Sequence, residues 1–134
     1  MSKELNASLI SAMETYLNAG LAMDLEKMDA IYAPDFENIR MDRDGRTFTI
    51  TKDQFMQRFH AMRSQGKKLD TTDDVEFLAT TLYDGHGSVI MRRVKNGKPV
   101  LYNFVWRMEA GHPSTLIREF TYEEDISYLT NLLK

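Results

Sequence analysis

The chain has 134 residues, of which 43% are hydrophobic and 28% charged, a composition typical of one globular domain spanning residues 1–134. A formal net charge of −3 without a concentrated basic stripe argues against a nucleic-acid-binding surface, and the lack of cysteine excludes disulfides and thiolate chemistry. No apolar run approaches the roughly 20 residues that span a bilayer, and the N-terminus lacks the apolar region of a signal peptide. We therefore expect a cytoplasmic protein without membrane contacts.

Two amphipathic helices open the predicted fold. Apolar residues recur every three or four positions from about Lys3 to Ala19, which predicts a helix that ends at Gly20. Asp24 occupies an N-cap position before a second, shorter apolar pattern. We expect Pro34 to close that second helix, because the residue before a proline avoids the α region.

A β-hairpin and a third helix follow. Segments 36–41 and 46–50 flank Asp44-Gly45, and this dipeptide favours a hairpin because both residues tolerate positive φ. Thr51 and Gln54 then form a capping box, which predicts the start of the third helix.

The second half of the chain is predicted to be a four-stranded antiparallel meander. Asn96-Gly97 as a two-residue loop fixes the register of the central strands and places Tyr102 opposite Met91. One face is then large and apolar and should meet the helices. This inner face comprises Leu78, Thr80, Leu82, Val89, Met91, Tyr102, Phe104, Trp106 and Met108.

The opposite face of this sheet mixes apolar and polar residues. A contiguous apolar patch edged by polar groups usually marks an interaction surface. We therefore expect a homodimer through the outer sheet face, formed by Phe77, Ile90, Leu101, Asn103 and Val105. The alternative is that the C-terminal tail folds back and covers this face.

Several stretches of the chain resemble the nuclear transport factor 2 (NTF-2)-like superfamily, in particular its SnoaL-like and ketosteroid isomerase-like branch. The opening residues 16–20, 24–25 and 31–36 look like its helix, acidic cap, second helix and exit into the first strand, and 104–107 and 118–124 look like its last two strands. The resemblance implies a cone-shaped α+β fold. Three helices from the N-terminal half pack there on a strongly curved, mixed and mostly antiparallel sheet, leaving a pocket at the wide end. Many members are dimers through the outer face of that sheet.

Six residues are candidates for lining such a pocket: Tyr16, Asn38, Arg40, Tyr102, Phe104 and Trp106. Tyr16 falls where ketosteroid isomerases keep a tyrosine that donates a hydrogen bond to the substrate oxyanion, but we favour a core tyrosine that lines the pocket without a catalytic role. The isomerase's two carboxylate positions correspond to Arg40 and Phe104, so the resemblance argues against that isomerisation.

Arg40 has two alternative placements. If it faces the pocket with Phe36 and Asn38, it can clamp a carboxylate or another anionic group. If the other, more apolar face of the hairpin points into the core instead, Arg40 is a surface charge. We assign to that other face Ile39, Met41, Phe48 and Ile50.

Catalytic candidates are few: Tyr16, His60 and Glu119. Glu119 would be the best general base if it pointed inward, with a pKa raised by desolvation, but no clear turn type fixes its face. His60 is most simply a helix-surface histidine. The three histidines have unrelated spacings, so we expect neither a metal nor a cofactor.

These features predict a small-molecule-binding protein with a mostly apolar pocket for a hydrophobic or amphipathic ligand, with or without an anionic group. One alternative is a SnoaL-like cyclase, isomerase or dehydratase that acts on a hydrophobic substrate without a cofactor. The other is a protein-interaction domain. A buried carboxylate within hydrogen-bonding reach of Tyr16 or His60 would favour the enzyme, and a cavity beside Arg40 would favour binding. A cone with no cavity would favour the interaction domain.

Overall fold

The computed structural model describes residues 4–69 and 71–132, without the side chains of residues 130–132. Its elements are α1 (Ala7–Leu21), α2 (Leu25–Ile31), β1 (Tyr32–Asp42), β2 (Thr47–Thr51), α3 (Lys52–Ser64), β3 (Glu76–Tyr83), β4 (His86–Lys95), β5 (Lys98–Glu109), β6 (His112–Glu123) and α4 (Ser127–Leu132). Within these residues the strands form one sheet in the order β2-β1-β6-β5-β4-β3. Of the strand pairs in this described sheet, only β1–β6 is parallel. The predicted α+β class, with helices on a curved mixed sheet, is confirmed.

The helix boundaries differ from the predicted ones at three places. The predicted start at Lys3 lies outside the described residues, and α1 begins at Ala7 because the Asn6 side chain accepts a hydrogen bond from the backbone N–H of Leu9. Gly20 does not end α1 but is buried within its last turn. Pro34 does not close α2 either, since α2 ends at Ile31 and Pro34 lies inside β1.

Local capping and turn signals are confirmed. The Asp24 side chain caps α2, and Thr51 and Gln54 form the capping box of α3. Asn96 and Gly97 have φ values of 52° and 77°, as a tight hairpin turn with positive φ at both central residues requires. The pairing of Met91 with Tyr102 follows from that turn, as predicted.

The inner face of the sheet carries the core. Its predicted residues on β4 and β5 are buried: Val89, Met91, Tyr102, Phe104 and Trp106. A register shift between Phe77 and Ala79 in β3 overturns part of the prediction, because it pairs Phe77 with the inward-facing Met91. Phe77 consequently packs against the core rather than on the outer face. Leu78 and Leu82 are 40% and 57% exposed, so neither contributes a buried side chain.

No helix of the described residues is both long enough and apolar enough to cross a bilayer.

Candidate functional site

A cavity of about 330 Å³ lies between the helices and the inner face of the sheet. One wall is apolar and comes from α1, α2 and α3 together with Leu69; it includes Leu17, Met28, Phe55, Phe59 and Met62. The facing wall is the sheet, which contributes Tyr102, Phe104 and Glu119. Four basic side chains, Arg40, Arg58, Arg93 and Lys95, line one part of the cavity, where the charge of Arg40 acts on Arg58 and Lys95 and that of Arg93 acts on Lys95. We refer to these four as the charged end.

A chain of hydrogen bonds leads from the helices to a buried carboxyl group. The Tyr16 hydroxyl donates to Oε1 of Glu119 at 3.0 Å. The Tyr32 hydroxyl lies 2.7 Å from that of Tyr16 and must act as the donor, since the Tyr16 proton is already committed. Glu119 is only 5% exposed and Tyr16 only 7%. Glu119 therefore points inward, which the sequence left undecided.

Asn38 holds the carboxyl group and Arg40 in a fixed relation. Its Nδ2 donates to Oε2 of Glu119 at 3.2 Å and to the Thr121 hydroxyl at 3.0 Å. Its Oδ1 accepts a hydrogen bond of 2.8 Å from Nε of Arg40. Because Asn38 is completely buried, this amide orients two cavity residues without reaching the cavity itself.

Burial changes the pKa values of Glu119 and of the two tyrosine hydroxyls that are hydrogen-bonded to it directly or in sequence. Desolvation raises the pKa of Glu119, although nearby Arg40 and the Tyr16 hydrogen bond act in the opposite direction. Desolvation, followed by the proximity of Glu119, also raises the pKa of the Tyr16 and Tyr32 hydroxyls. Glu119 thus accepts a proton more readily than an ordinary carboxylate, while both tyrosines stay protonated.

Two of the four cations at the charged end have carboxylate partners. Arg40 forms an ion pair of 3.2 Å with Glu123, and it also donates to the Tyr128 hydroxyl at 3.3 Å. Arg93 pairs with Asp74 at 3.3 Å. These contacts fix the guanidinium groups of both arginines beside the cavity.

The other two cations are Arg58 and Lys95. Within the described part of the chain, neither forms an ion pair with a carboxylate. Partial desolvation, followed by repulsion from Arg40, lowers the pKa of both groups. Nζ of Lys95 lies 5.9 Å from the ring centroid of Tyr102, a cation–π distance.

The predicted site residues divide into two groups. Tyr16, Arg40, Tyr102 and Phe104 line the cavity. Asn38 lies behind the wall, and so does Trp106, whose Nε1 donates to the Met13 sulfur at 3.4 Å. The structure therefore brings neither of these two to the cavity surface.

Of the two alternative placements of Arg40, the one that faces the cavity is correct, and the placement as a surface charge is wrong. Arg40 does face the cavity, but Phe48 and Ile50 share that face, because β2 pairs Phe48 with Arg40 and Ile50 with Asn38. The assignment of Phe48 and Ile50 to the opposite face was wrong.

His60 is exposed on α3 and does not line the cavity. The structure therefore gives it no place in the candidate site, and its surface placement is as expected. Its neighbour Phe59 occupies the inward-facing position of that helical turn.

Sequence reasoning missed five cavity or hydrogen-bonding residues: Tyr32, Arg58, Arg93, Lys95 and Tyr128. Three of them carried a usable signal. Arg93 lies opposite Val100 and Lys95 follows it by two, so strand alternation places both on the inner face with Met91. Arg58 lies three residues after Phe55 and four before Met62, on the apolar side of α3.

The described residues contain no group of three or more His, Cys, Asp or Glu side chains that could hold a metal ion.

No known protein family matches the sequence, and neither does any curated protein. Solved structures match it by fold. An NTF-2 like protein of unknown function from Silicibacter pomeroyi is 14% identical, with 86% of this chain and 92% of that chain covered and a TM-score of 0.64. An NTF-2 like protein of unknown function from Shewanella baltica is 9% identical, with coverages of 89% and 93% and a TM-score of 0.62.

A third solved structure is a putative calcium/calmodulin-dependent protein kinase type II association domain from Thiobacillus denitrificans. It is 13% identical, with 92% of this chain and 100% of that chain covered and a TM-score of 0.59. At such identities the likeness shows the fold alone. The resemblance to NTF-2-like proteins is confirmed at that level, without singling out the SnoaL-like or ketosteroid isomerase-like branch.

Proposed function

Because the chain has the NTF-2-like fold, with helices and sheet enclosing a hollow, we propose that it binds a small amphipathic molecule carrying an anionic group. The apolar part would lie against Leu17 and Phe59, and the anionic group would meet Arg40. The observation that carries the proposal is that Arg40 lines the cavity while Asn38 and Glu123 hold its guanidinium in place.

The cavity has the general make-up of a small-molecule site. Such sites are concave, mostly apolar and about 300–1,000 Å³ in volume, with a few fixed polar groups that orient the ligand. A cavity of about 330 Å³ lies at the lower end of that range. A fixed guanidinium is well suited to a carboxylate or phosphate, because its planar donors match their oxygens.

The first prediction concerns 2-naphthoate, which joins an aromatic ring system to a carboxylate. Wild-type protein should quench or shift its fluorescence saturably, and 2-naphthalenemethanol, the neutral analogue, should bind more weakly. Replacing Leu17 by Trp puts a larger side chain into the cavity beside the apolar wall. This variant should have at least about tenfold lower affinity for 2-naphthoate. Leu82→Trp is the matched control, because Leu82 is 57% exposed and does not line the cavity. Equal binding by both variants would contradict the proposal.

A second candidate function is proton transfer on a bound carbonyl compound. The observation that favours it is the buried Glu119 within 3.0 Å of the Tyr16 hydroxyl, facing the cavity. Ionised Glu119 would take a proton from a carbon beside the carbonyl, and Lys95 or Arg40 would stabilise the enolate oxygen. Hydrogen–deuterium exchange of levulinate in D₂O, followed by proton NMR, tests this activity. Exchange by the wild type and none by Glu119→Gln would support it.

The outer sheet face supports a further part of the proposal, a homodimer. Ile90, Leu101 and Tyr122 are each about two-fifths exposed there. Asn103 and Val105 lie half-buried between them. Phe77 was predicted to belong to this surface but packs against the core instead. An apolar sheet face of this kind suits a self-complementary contact between two copies.

Light scattering checks the homodimer prediction. The wild type should show twice the chain mass of 15.5 kDa at micromolar concentration, and Leu101→Glu should show the single-chain mass. Leu82→Glu places the same charge at an exposed position outside the proposed interface and should stay dimeric. A wild-type mass of one chain would end the homodimer proposal.

A further inference from the structure

The charged end holds more positive charge than its carboxylates balance. Arg40 and Arg93 are each paired with one carboxylate, Glu123 and Asp74. Glu119 is the remaining carboxyl group at the cavity, but its oxygens already accept hydrogen bonds from the Tyr16 hydroxyl and from an amide N–H. Arg58 and Lys95 are therefore left without a partner among the described carboxylates.

Two other cations on the same elements do not line the cavity. Arg63 lies on α3 as Arg58 does and is exposed as Arg58 is, but only Arg58 lines the cavity. Lys98 lies directly opposite Lys95 across the β4–β5 turn and pairs with Glu124 at 3.4 Å. Cations on the same helix and the same hairpin therefore need not reach the cavity, whereas Arg58 and Lys95 do.

We propose that the anionic group of the ligand is a dianion, such as a phosphomonoester, bound between Arg58 and Lys95 with Arg40 beside them. This inference rests on the proposed binding function. A dianion balances both unpaired cations at once, whereas a monocarboxylate leaves one of them uncompensated. A phosphate also offers three acceptor oxygens in different directions, which suits donors that approach from a helix, α3, and from a strand, β4.

Mutual repulsion among the three cations supports the same assignment. Besides partial desolvation, the charge of Arg40 lowers the pKa of Arg58 and of Lys95. Bound negative charge would relieve that repulsion. The residues of the apolar wall would then select which organic group, attached to the phosphate, can bind.

Three naphthalene probes at pH 8 test the dianion directly: 2-naphthyl phosphate, 2-naphthoate and 2-naphthalenemethanol. The phosphate is a dianion at this pH, because its second pKa is about 6. Wild-type protein should bind it at least about tenfold more tightly than 2-naphthoate. Arg58→Gln and Lys95→Met should each remove most of that preference, while Arg63→Gln and Lys98→Met, the matched controls, should retain it.

The outcomes separate this inference from the proposed function. Equal affinities for the phosphate and the carboxylate, or a preference that survives in both Arg58→Gln and Lys95→Met, would overturn the dianion and leave amphipathic binding intact. No binding of either aromatic anion would overturn both. Inorganic phosphate that binds as tightly as the naphthyl ester would support the dianion site and contradict the amphipathic ligand.

Discussion

Glu119→Gln should unfold at a higher temperature than the wild type at pH 8. Desolvation raises the pKa of Glu119 above 4.5, so the folded state binds a proton more tightly than the unfolded state does. The stability that comes from this difference is fully present below the unfolded pKa and is lost as the pH rises through the folded pKa. Glutamine does not titrate, so the free energy of unfolding of the variant should stay flat over that range.

This replacement loses one hydrogen bond, because the glutamine NH2 group takes the place of Oε2, the oxygen that accepts from Nδ2 of Asn38, and keeps the others. The side-chain carbonyl of the introduced glutamine can accept the hydrogen bond of Tyr16, as Glu119 does now. Nδ2 of Asn38 keeps two other acceptors, the backbone oxygen of residue 119 and the Thr121 hydroxyl, both at 3.0 Å. If proton transfer is the function, the same variant loses it, so added stability would accompany lost activity.

Glu119→Leu is the contrasting variant. The two tyrosine hydroxyls can then pair only with each other, and one of their protons is left without an acceptor. An unsatisfied buried donor costs about 1–3 kcal/mol, so this variant should be less stable than Glu119→Gln at every pH. Urea denaturation of the three proteins between pH 5 and pH 8 measures the effect. A wild-type free energy of unfolding that does not change across this interval would contradict the raised pKa of Glu119.

Local sequence signals predicted most of the element order and much of the register. The Thr51–Gln54 capping box and the Asn96-Gly97 turn act through residues within four positions of each other, so their effect can be read without the rest of the chain. Where a local signal was weaker, the observed helix boundary differs from the predicted one by a few residues, as at Pro34, which lies inside β1.

Non-local pairing explains why the candidate site was harder to predict. Glu119 faces inward because β6 pairs with β5 through two register shifts and with β1 in parallel. The parallel partner, Asn38, lies far away along the chain. A similar shift in β3 exchanged the faces of Phe77 and Leu78. Bulges of this kind invert alternation locally, and a single sequence offers no reliable sign of where they fall.

Asp42 ties the first hairpin to the C-terminal helix. It lies at the end of β1 and is 4% exposed. Its carboxylate accepts hydrogen bonds of 3.0 Å from the backbone N–H groups of Asp44, Arg46 and Ile126, and one of 2.8 Å from Nε of Arg46. The bond from Ile126 fixes the residue directly before α4. That helix carries Tyr128, which lines the charged end of the cavity.

The pKa of Asp42 shows how strongly these donors favour the charged form. Desolvation acts to raise it, but the hydrogen bonds from Ile126 and Arg46 outweigh that effect and lower the pKa from 3.8 to about 2. The resulting stability is present above pH 3.8 and is lost as the pH falls toward about 2. An acid-unfolding profile of the wild type should show this loss, and Asp42→Asn should not.

Asp42→Ala should lower the melting temperature at pH 7 markedly and also weaken the binding of 2-naphthoate. Three backbone N–H groups lose their acceptor at once, and the start of α4 loses its attachment to the hairpin. Asp44→Ala is the matched control, because Asp44 is exposed and its side chain makes a surface ion pair with Arg46, a contact worth at most about 1 kcal/mol. Equal melting temperatures for the two variants would show that Asp42 does not anchor α4, and Tyr128 would then need another support at the cavity.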